Sequence, residues 1–366
     1  MNYQIKMKKN NLHAYMFLKT IFILFAVFAF SWHYSGCGDD STSIGGPHNP
    51  GFGGYEQGEA GVMMTLSALC YVAEGSTNAL HIRDSINLQL ADSNYSTGGN
   101  WKVCWGPGLS PTGDNLMYMA VDSTGDSLKY AICVRGTVFN FANIVEDLEV
   151  WDMEKWPFSG GGDSVALGSL KGLDTLLNTT DPVTFMGLQA YLNTLNAPKQ
   201  KMFITGHSLG GAMATLITKW FLDNGFTSRF KLETYTFAAP TVGNISFADT
   251  YLSQMQSSGS ESHRCVNNKD VVPFAWAGLP NIISENIPTT VPPLVAAVIQ
   301  TAHNYLKDSV VYKHVETKQP LGSIDPVNCG ASGEDSTYFC WVGFEHGTNT
   351  YLRLLNADTI NWNRRR

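Results

Sequence analysis

Gly206-His207-Ser208-Leu209-Gly210-Gly211-Ala212 is the stretch that decides how this chain is read. Its Gly-x-Ser-x-Gly spacing is that of a nucleophile elbow, a strand-to-helix turn sharp enough to expose a serine hydroxyl. Such a turn brings neighbouring backbone closer than a Cβ permits, so it requires glycine two positions before and two after the serine. In a chain of 366 residues with 35 glycines the pattern alone can arise by chance. Its context is what gives it weight. Lys201-Met202-Phe203-Ile204-Thr205 reads as a short buried strand leading in. Leu209 to Leu222, with Ala212, Ala214, Leu216, Ile217, Trp220 and Phe221, reads as an apolar helix leading out.

Moving outward, Leu116 to Val121 and Leu128 to Val134 are strand-like runs joined by Asp122-Ser123-Thr124-Gly125-Asp126, a hairpin signal. Met63 to Glu74 and Val183 to Leu195 carry helical spacing before the elbow strand. Lys231 to Phe237 and Ser262 to Val266 read as strands on either side of a helix at Ile245 to Met255. Strands alternating with helices predict an α/β fold with a central, mostly parallel sheet flanked by helices. Residues from about 275 to 335, with Pro280, Pro288, Pro292 and Pro293, are less regular. They read as an insertion over one face, with a helical patch at Leu294 to Leu306 and a strand-like run at Val310 to Val315.

The N-terminus reads as an export segment. Lys6, Lys8 and Lys9 precede an apolar run from Ile21 to Phe30, too short for a membrane span and suited to a signal-peptide core. Tyr34-Ser35-Gly36-Cys37 resembles a bacterial lipobox, although Tyr34 departs from the usual Leu. That resemblance implies a lipoprotein-type signal peptide over residues 1–36, cleaved before a lipidated Cys37. Residues 37–58, rich in Gly, Pro, Asp and Ser, read as a flexible tether, and 59–366 as one catalytic domain. The expected location is the bacterial outer membrane or cell surface by lipid anchor, or otherwise secretion. The formal net charge of −7 opposes nucleic-acid binding. Beyond Cys37, six cysteines remain, an even number that permits disulfides in an exported chain. Cys329 and Cys340 flank a Gly/Ser/Asp loop and form the expected pair, while Cys133 and Cys265 read as buried free thiols. No Cys/His spacing suggests a metal, and no cofactor is expected.

A serine hydroxyl is a weak nucleophile and needs a histidine base that a carboxylate orients. In the α/β-hydrolase arrangement the chain order is Ser, then Asp or Glu, then His. After the histidines that precede any plausible acid are set aside, His303, His314 and His346 remain. Asp270 stands just beyond the strand ending at Val266, at the edge of the sheet where ligands bind in open α/β folds. Asp223 and Asp249 fall in helices, and Asp308, Asp325 and Asp335 in the insertion.

Four motifs occur in sequence: Arg135-Gly136-Thr137, the elbow, Thr236-Phe237-Ala238-Ala239-Pro240-Thr241-Val242-Gly243-Asn244, and Asn268-Lys269-Asp270-Val271-Val272-Pro273. Their order resembles that of the class 3, fungal-type triacylglycerol lipases, over roughly Met63 to Leu354. The resemblance implies an α/β-hydrolase fold, Ser208 as nucleophile and Asp270 as acid. It favours His346 as base, in His346-Gly347-Thr348-Asn349-Thr350-Tyr351-Leu352, and places His314 in a motif that is not the base. Thr137 matches the residue whose amide and hydroxyl bind the oxyanion, with the Leu209 amide as second donor. The resemblance also implies a lid after Thr137. There Phe139, Phe141, Ile144, Val145, Leu148, Trp151 and Trp156 alternate with acidic residues, as they also would on an ordinary surface helix. The reading is a serine carboxylic-ester hydrolase acting on lipid esters. A phospholipase A1 and an aryl (feruloyl-type) esterase share these motifs, and a non-catalytic surface lipoprotein is the alternative from another class.

Overall fold

The computed structural model describes residues 54–136, 149–195, 199–284, 290–324 and 334–362. Two helices, α1 (Gln57–Leu69) and α2 (Ala79–Leu90), lead into an antiparallel meander of β1 (Trp101–Leu109), β2 (Leu116–Asp122) and β3 (Lys129–Val134). A small ribbon, β4 (Met153–Lys155) and β5 (Ser164–Ala166), precedes α3 (Leu167–Leu177) and α4 (Leu188–Thr194). The parallel part follows: β6 (Gln200–His207), α5 (Leu209–Asp223), β7 (Phe230–Phe237), α6 (Ile245–Ser258) and β8 (Glu261–Val266). Then come a short α7 (Asn281–Ser284), α8 (Pro293–Ser309), β9 (Lys318–Pro320), α9 (Glu334–His346) and α10 (Thr348–Leu354). Among the described residues the main sheet has the order β1-β2-β3-β6-β7-β8-β9, parallel from β3 onward. The mostly parallel α/β fold expected from the sequence is the fold observed.

Strand alternation separates two cores. Ile132, Val134, Met202 and Ile204 face one side, where they pack with Leu173, Leu216, Ile217 and Phe247 from α3, α5 and α6. Their neighbours Ala131, Cys133 and Phe203 face the other, against Met63, Leu66, Ile86 and Tyr351 from α1, α2 and α10. Each fully buried Leu, Ile or Phe contributes roughly 1.5–3 kcal/mol relative to exposure. Buried apolar side chains on both faces of β3 and β6 therefore make the centre of the sheet the most secure place to mount a site. Within α5, Lys219 is fully buried, and its ammonium is held 2.6 Å from Asp223 Oδ2 and 3.5 Å from Asp163 Oδ2.

Several boundaries differ from expectation. The first helix runs Gln57–Leu69, because its polar opening turn, with Glu59 favourably placed at the N-terminus, breaks no apolar rhythm the eye can follow. It starts inside the expected tether. Residues 183–187 are not helical: the Asp181 carboxylate accepts from the amides of Val183 (3.0 Å) and Thr184 (2.6 Å) and folds the segment into a turn. The expected insertion supplies an edge strand, β9, as well as α8. Residues 310–315 run irregularly, with one bridge from Tyr312 to Asn244. Cys340 is disulfide-bonded, and Cys329 lies outside the described residues. Cys70, Cys104, Cys133 and Cys265 are free. No described helix is long and apolar enough to cross a membrane.

Candidate active site

Ser208 is the single residue between β6 and α5. Its backbone sits at φ 61°, ψ −129°, a region that costs an L-residue about 1–3 kcal/mol and persists only where surroundings enforce it. The enforcement is visible. The Ser208 amide donates to Phe237 O of β7 at 2.9 Å, and its carbonyl accepts from Gly211 N at 2.9 Å. A Cβ on Gly206 would lie 2.2 Å from Gly210 O, and one on Gly210 would lie 2.2 Å from Val134 O. The glycine spacing that marks the elbow thus has a steric cause: helix start, strand end and β3 meet there with no room for side chains.

β8 brings the chain back to the same edge. A turn closed by the Asp270 amide on Asn267 O (3.1 Å) places Asp270 with no solvent exposure, its Oδ1 accepting from Val272 N at 3.0 Å. His346, the last residue of α9, completes the line. Its Nδ1 lies 2.9 and 3.1 Å from the two Asp270 oxygens, and its Nε2 lies 2.8 Å from Ser208 Oγ. A carboxylate accepts only, so Nδ1 carries the proton and Nε2 is left as acceptor for the serine hydroxyl. Ser208, His346 and Asp270, distant in sequence, are therefore brought together as one hydrogen-bonded chain.

A further set of contacts fixes that chain. The Tyr351 hydroxyl donates to Asp270 Oδ2 at 2.8 Å and accepts from the Asn267 amide at 3.1 Å. Asn267 Nδ2 donates to Glu345 O (2.8 Å) and Glu345 Oε2 (2.7 Å), tying the acid's loop to the base's helix. His207 Nε2 donates to His346 O at 2.8 Å, with the two rings 4.8 Å apart. Burial, and then the neighbouring His346, holds the His207 pKa well below its ordinary value, so His207 is a neutral donor and no competing base. Tyr351, Asn267 and Glu345 are not among the residues singled out from sequence. Tyr351 stands inside the quoted His346-to-Leu352 stretch and Asn267 beside the acid's motif, so proximity was the only signal.

The other histidines go elsewhere. His314 Nε2 donates to Pro273 O at 2.9 Å. Burial and then Arg264 push its pKa down to about 3. His303 lies on α8. Leu209 opens α5, where the first amides of a helix lack intrahelical partners. Gly136 reaches the elbow closely: a Cβ there would lie 2.7 Å from His207 O and 3.1 Å from Gly210 N. Its amide donates to the Tyr71 hydroxyl at 3.2 Å. Thr137, the lid residues Phe139 to Leu148 and Cys37 lie outside the described residues.

A serine on a strand–elbow–helix, bonded through imidazole to a buried carboxylate, places this site in the class of Ser–His–Asp triads on an α/β-hydrolase fold. Within that class, residues 131–278 match the family model of class 3 lipases. The chain is 30% identical to a lipase of Rhizomucor miehei over 182 residues, 47% of this chain and 47% of that protein. It is 32% identical to a lipase of Caenorhabditis elegans over 101 residues, 28% of each. It thus spans half or less of the length of these curated relatives. The crystal structure of M37 lipase superposes with a TM-score of 0.66 over 80% of this chain and 90% of that one, at 23% identity, a likeness of fold.

Proposed function

We propose that the chain is a serine carboxylic-ester hydrolase, a lipase that cleaves triacylglycerol esters through an acyl-enzyme. The observation that carries this is the continuous Ser208–His346–Asp270 hydrogen-bond line, 2.8 Å at one end and 2.9 Å at the other. Ser208 Oγ attacks the ester carbonyl while His346 Nε2 takes its proton. Asp270 holds the ring and stabilises the imidazolium. His346 then returns the proton to the departing alcohol, and water, activated by the same nitrogen, releases the acid. The amides of Leu209 and Thr137, with the Thr137 hydroxyl, receive the developing oxyanion; losing one such donor costs about 3 kcal/mol of transition-state stabilisation. The class 3 family match supports lipid esters as the substrate class.

Two measurements test this reading. A fluorophosphonate should label the parent protein and fail to label Ser208→Ala; equal labelling of both would remove Ser208 from the role. Emulsified long-chain triacylglycerol should be hydrolysed faster than short soluble esters. A preference confined to short or aryl esters would overturn the lipase reading while leaving the esterase chemistry.

The export reading belongs to the same proposal: residues 1–36 are removed and Cys37 carries the lipid that tethers the enzyme to a membrane. Two acyl chains suffice for stable anchoring. Cys37→Ser should move the protein from the membrane to the soluble fraction, and unchanged fractionation would exclude this anchor.

A further inference from the structure

A second cluster of reactive side chains lies on the same strands, at their opposite edge. β7 and β8 pair with Glu233 opposite Glu261 and Tyr235 opposite His263. Side chains two apart share a face of a strand, so these groups meet on the face beneath α1. One ligand atom from each of Glu233, Glu261 and His263 lies within 4.8 Å of the other two. His263 and Glu233 are 5% and 2% exposed. Yet His263 Nε2 has no hydrogen-bond partner: Glu233 Oε1 is 3.6 Å away, too far for a hydrogen bond. A buried imidazole nitrogen aimed at a carboxylate it does not reach is an acceptor pair awaiting something between them.

We propose that Glu233, Glu261 and His263 form a divalent transition-metal site suited to Zn²⁺. One imidazole and two carboxylates are a zinc donor set, and bonds of 2.0–2.2 Å at tetrahedral angles put neighbouring ligand atoms about 3.4 Å apart. The 3.6 Å His263–Glu233 separation fits that spacing as it stands. Glu261, half-buried at the first position of β8, closes the third side by a side-chain rotation. The oxygens are divided to suit. Glu233 Oε2 is taken by Lys201 Nζ at 2.7 Å, whereas Oε1 receives the Tyr235 hydroxyl at 2.8 Å and keeps a lone pair toward His263. The surrounding charge also favours a cation. Among the described residues, the ammonium groups bonded to Glu59, Glu233 and Glu261 are those of Lys201 and Lys231, at 2.7–3.1 Å. Imidazole binds as the neutral ring, its proton on Nδ1.

The site's role is structural. Glu233 lies four residues before Phe237, the strand partner of His207, so it is roughly 13 Å along the sheet from the elbow. The Tyr55 ring stands edge-on to His263 with centroids 5.7 Å apart, and a Cβ on Gly54 would touch Glu261. A bound ion would therefore fasten the segment leading into α1 onto the sheet.

Calorimetric titration of the full chain with Zn²⁺, alongside thermal melting, tests the site. His263→Phe removes the ligand but keeps a ring between Tyr55 and Tyr235. Glu261→Gln changes a half-exposed side chain, so it keeps the test valid should the first variant fold poorly. The parent should bind one Zn²⁺ that both variants lose or weaken by roughly tenfold or more, with a rise in melting temperature that they do not show. Metal removal should leave ester hydrolysis unchanged. A parent that binds no Zn²⁺ would overturn the proposal. So would binding that persists in both variants, or that disappears instead in His346→Ala.

Discussion

The two edges of β6, β7 and β8 carry comparable sets of polar side chains arranged in opposite ways. At the C-terminal edge, Ser208, Asp270 and His346 come from an elbow, a turn and a helix end, and His346 joins the other two in a single line. At the N-terminal edge, Lys201, Glu233, Glu261 and His263 project from the strands themselves, and Glu233 is shared by Lys201 and Tyr235, with His263 3.6 Å away. Residues in loops can each be aimed separately by local backbone. Residues on a strand face are bound to the register and must satisfy one another where they land. The first arrangement sets Ser208 and His346 for proton transfer while Asp270 holds the ring; the second pairs charges in a knot that clamps α1 to the sheet.

The largest expected effects fall at the C-terminal edge. Ser208→Ala and His346→Ala should each reduce kcat by about 10⁴- to 10⁶-fold, and the double variant should be no worse than either, because the residues act as a unit. Urea unfolding should show little change for Ser208→Ala. Losses that multiply in the double variant would break the picture of a single line.

At the other edge the order reverses. Lys201 bridges Glu59 and Glu233 at 2.7 Å each, and the Glu233 side chain is 3% exposed. Lys201→Met leaves that carboxylate buried without its ammonium. Breaking a fully buried pair costs 3–5 kcal/mol; with Lys201 itself 29% exposed, about 2–3 kcal/mol is expected. Hydrolysis at a temperature well below the melting point should be unchanged. A matching fall in kcat would show that the two edges are not independent.

The same contrast explains what the sequence reveals. Loop residues that build a site occur as contiguous motifs, so the elbow and the Asp270 turn can be read directly. The groups on the strand faces are spaced singly and carry ordinary readings; nothing in the order Glu233, Glu261, His263 signals that they meet. β3, the centre of β6 and α5 follow from mainly apolar runs. β1 does not, because Gly106-Pro107-Gly108 interrupt it, and they lie in a bulged strand whose register shifts twice. β9, Lys318-Gln319-Pro320, is three polar or proline residues at a sheet edge and has no strand signature. Among histidines, His346 and His314 are told apart in the sequence only by motif position. The spatial difference, one bonded to Ser208 and the other to Pro273 O, depends on where α9 packs.

A smaller effect probes how firmly the line is held. Tyr351→Phe removes a hydroxyl that touches both Asp270 Oδ2 and the Asn267 amide. Tyr351 does not touch the reacting atoms, so its loss should lower kcat about tenfold, equivalent to roughly 1.4 kcal/mol, with KM little changed. A rise in KM alone would assign Tyr351 to substrate binding.

A last effect is set by pH, and here the two edges should respond with opposite sign. His207 and His314 brace the triad's surroundings, and their folded pKa values lie below the ordinary imidazole value, that of His314 at about 3. A depressed pKa means that the unfolded chain binds the proton first. The stability these rings contribute is complete above about pH 6.5 and falls as pH drops toward the folded values, by at most about 1.4 kcal/mol per pH unit for each ring. At the opposite edge, burial and then the hydrogen bond with Glu233 raise the Glu59 pKa. Glu59 therefore takes its proton earlier in the folded chain and favours folding as pH falls. Urea midpoints between pH 6.5 and 4.5 should decline in the parent and decline less in His314→Gln. In Glu59→Gln the decline should steepen, because a group that gains from acid has been removed. Equal slopes in all three proteins would mean that neither edge governs the acid response, and the assignment of opposite signs to the two ends of the sheet would fail.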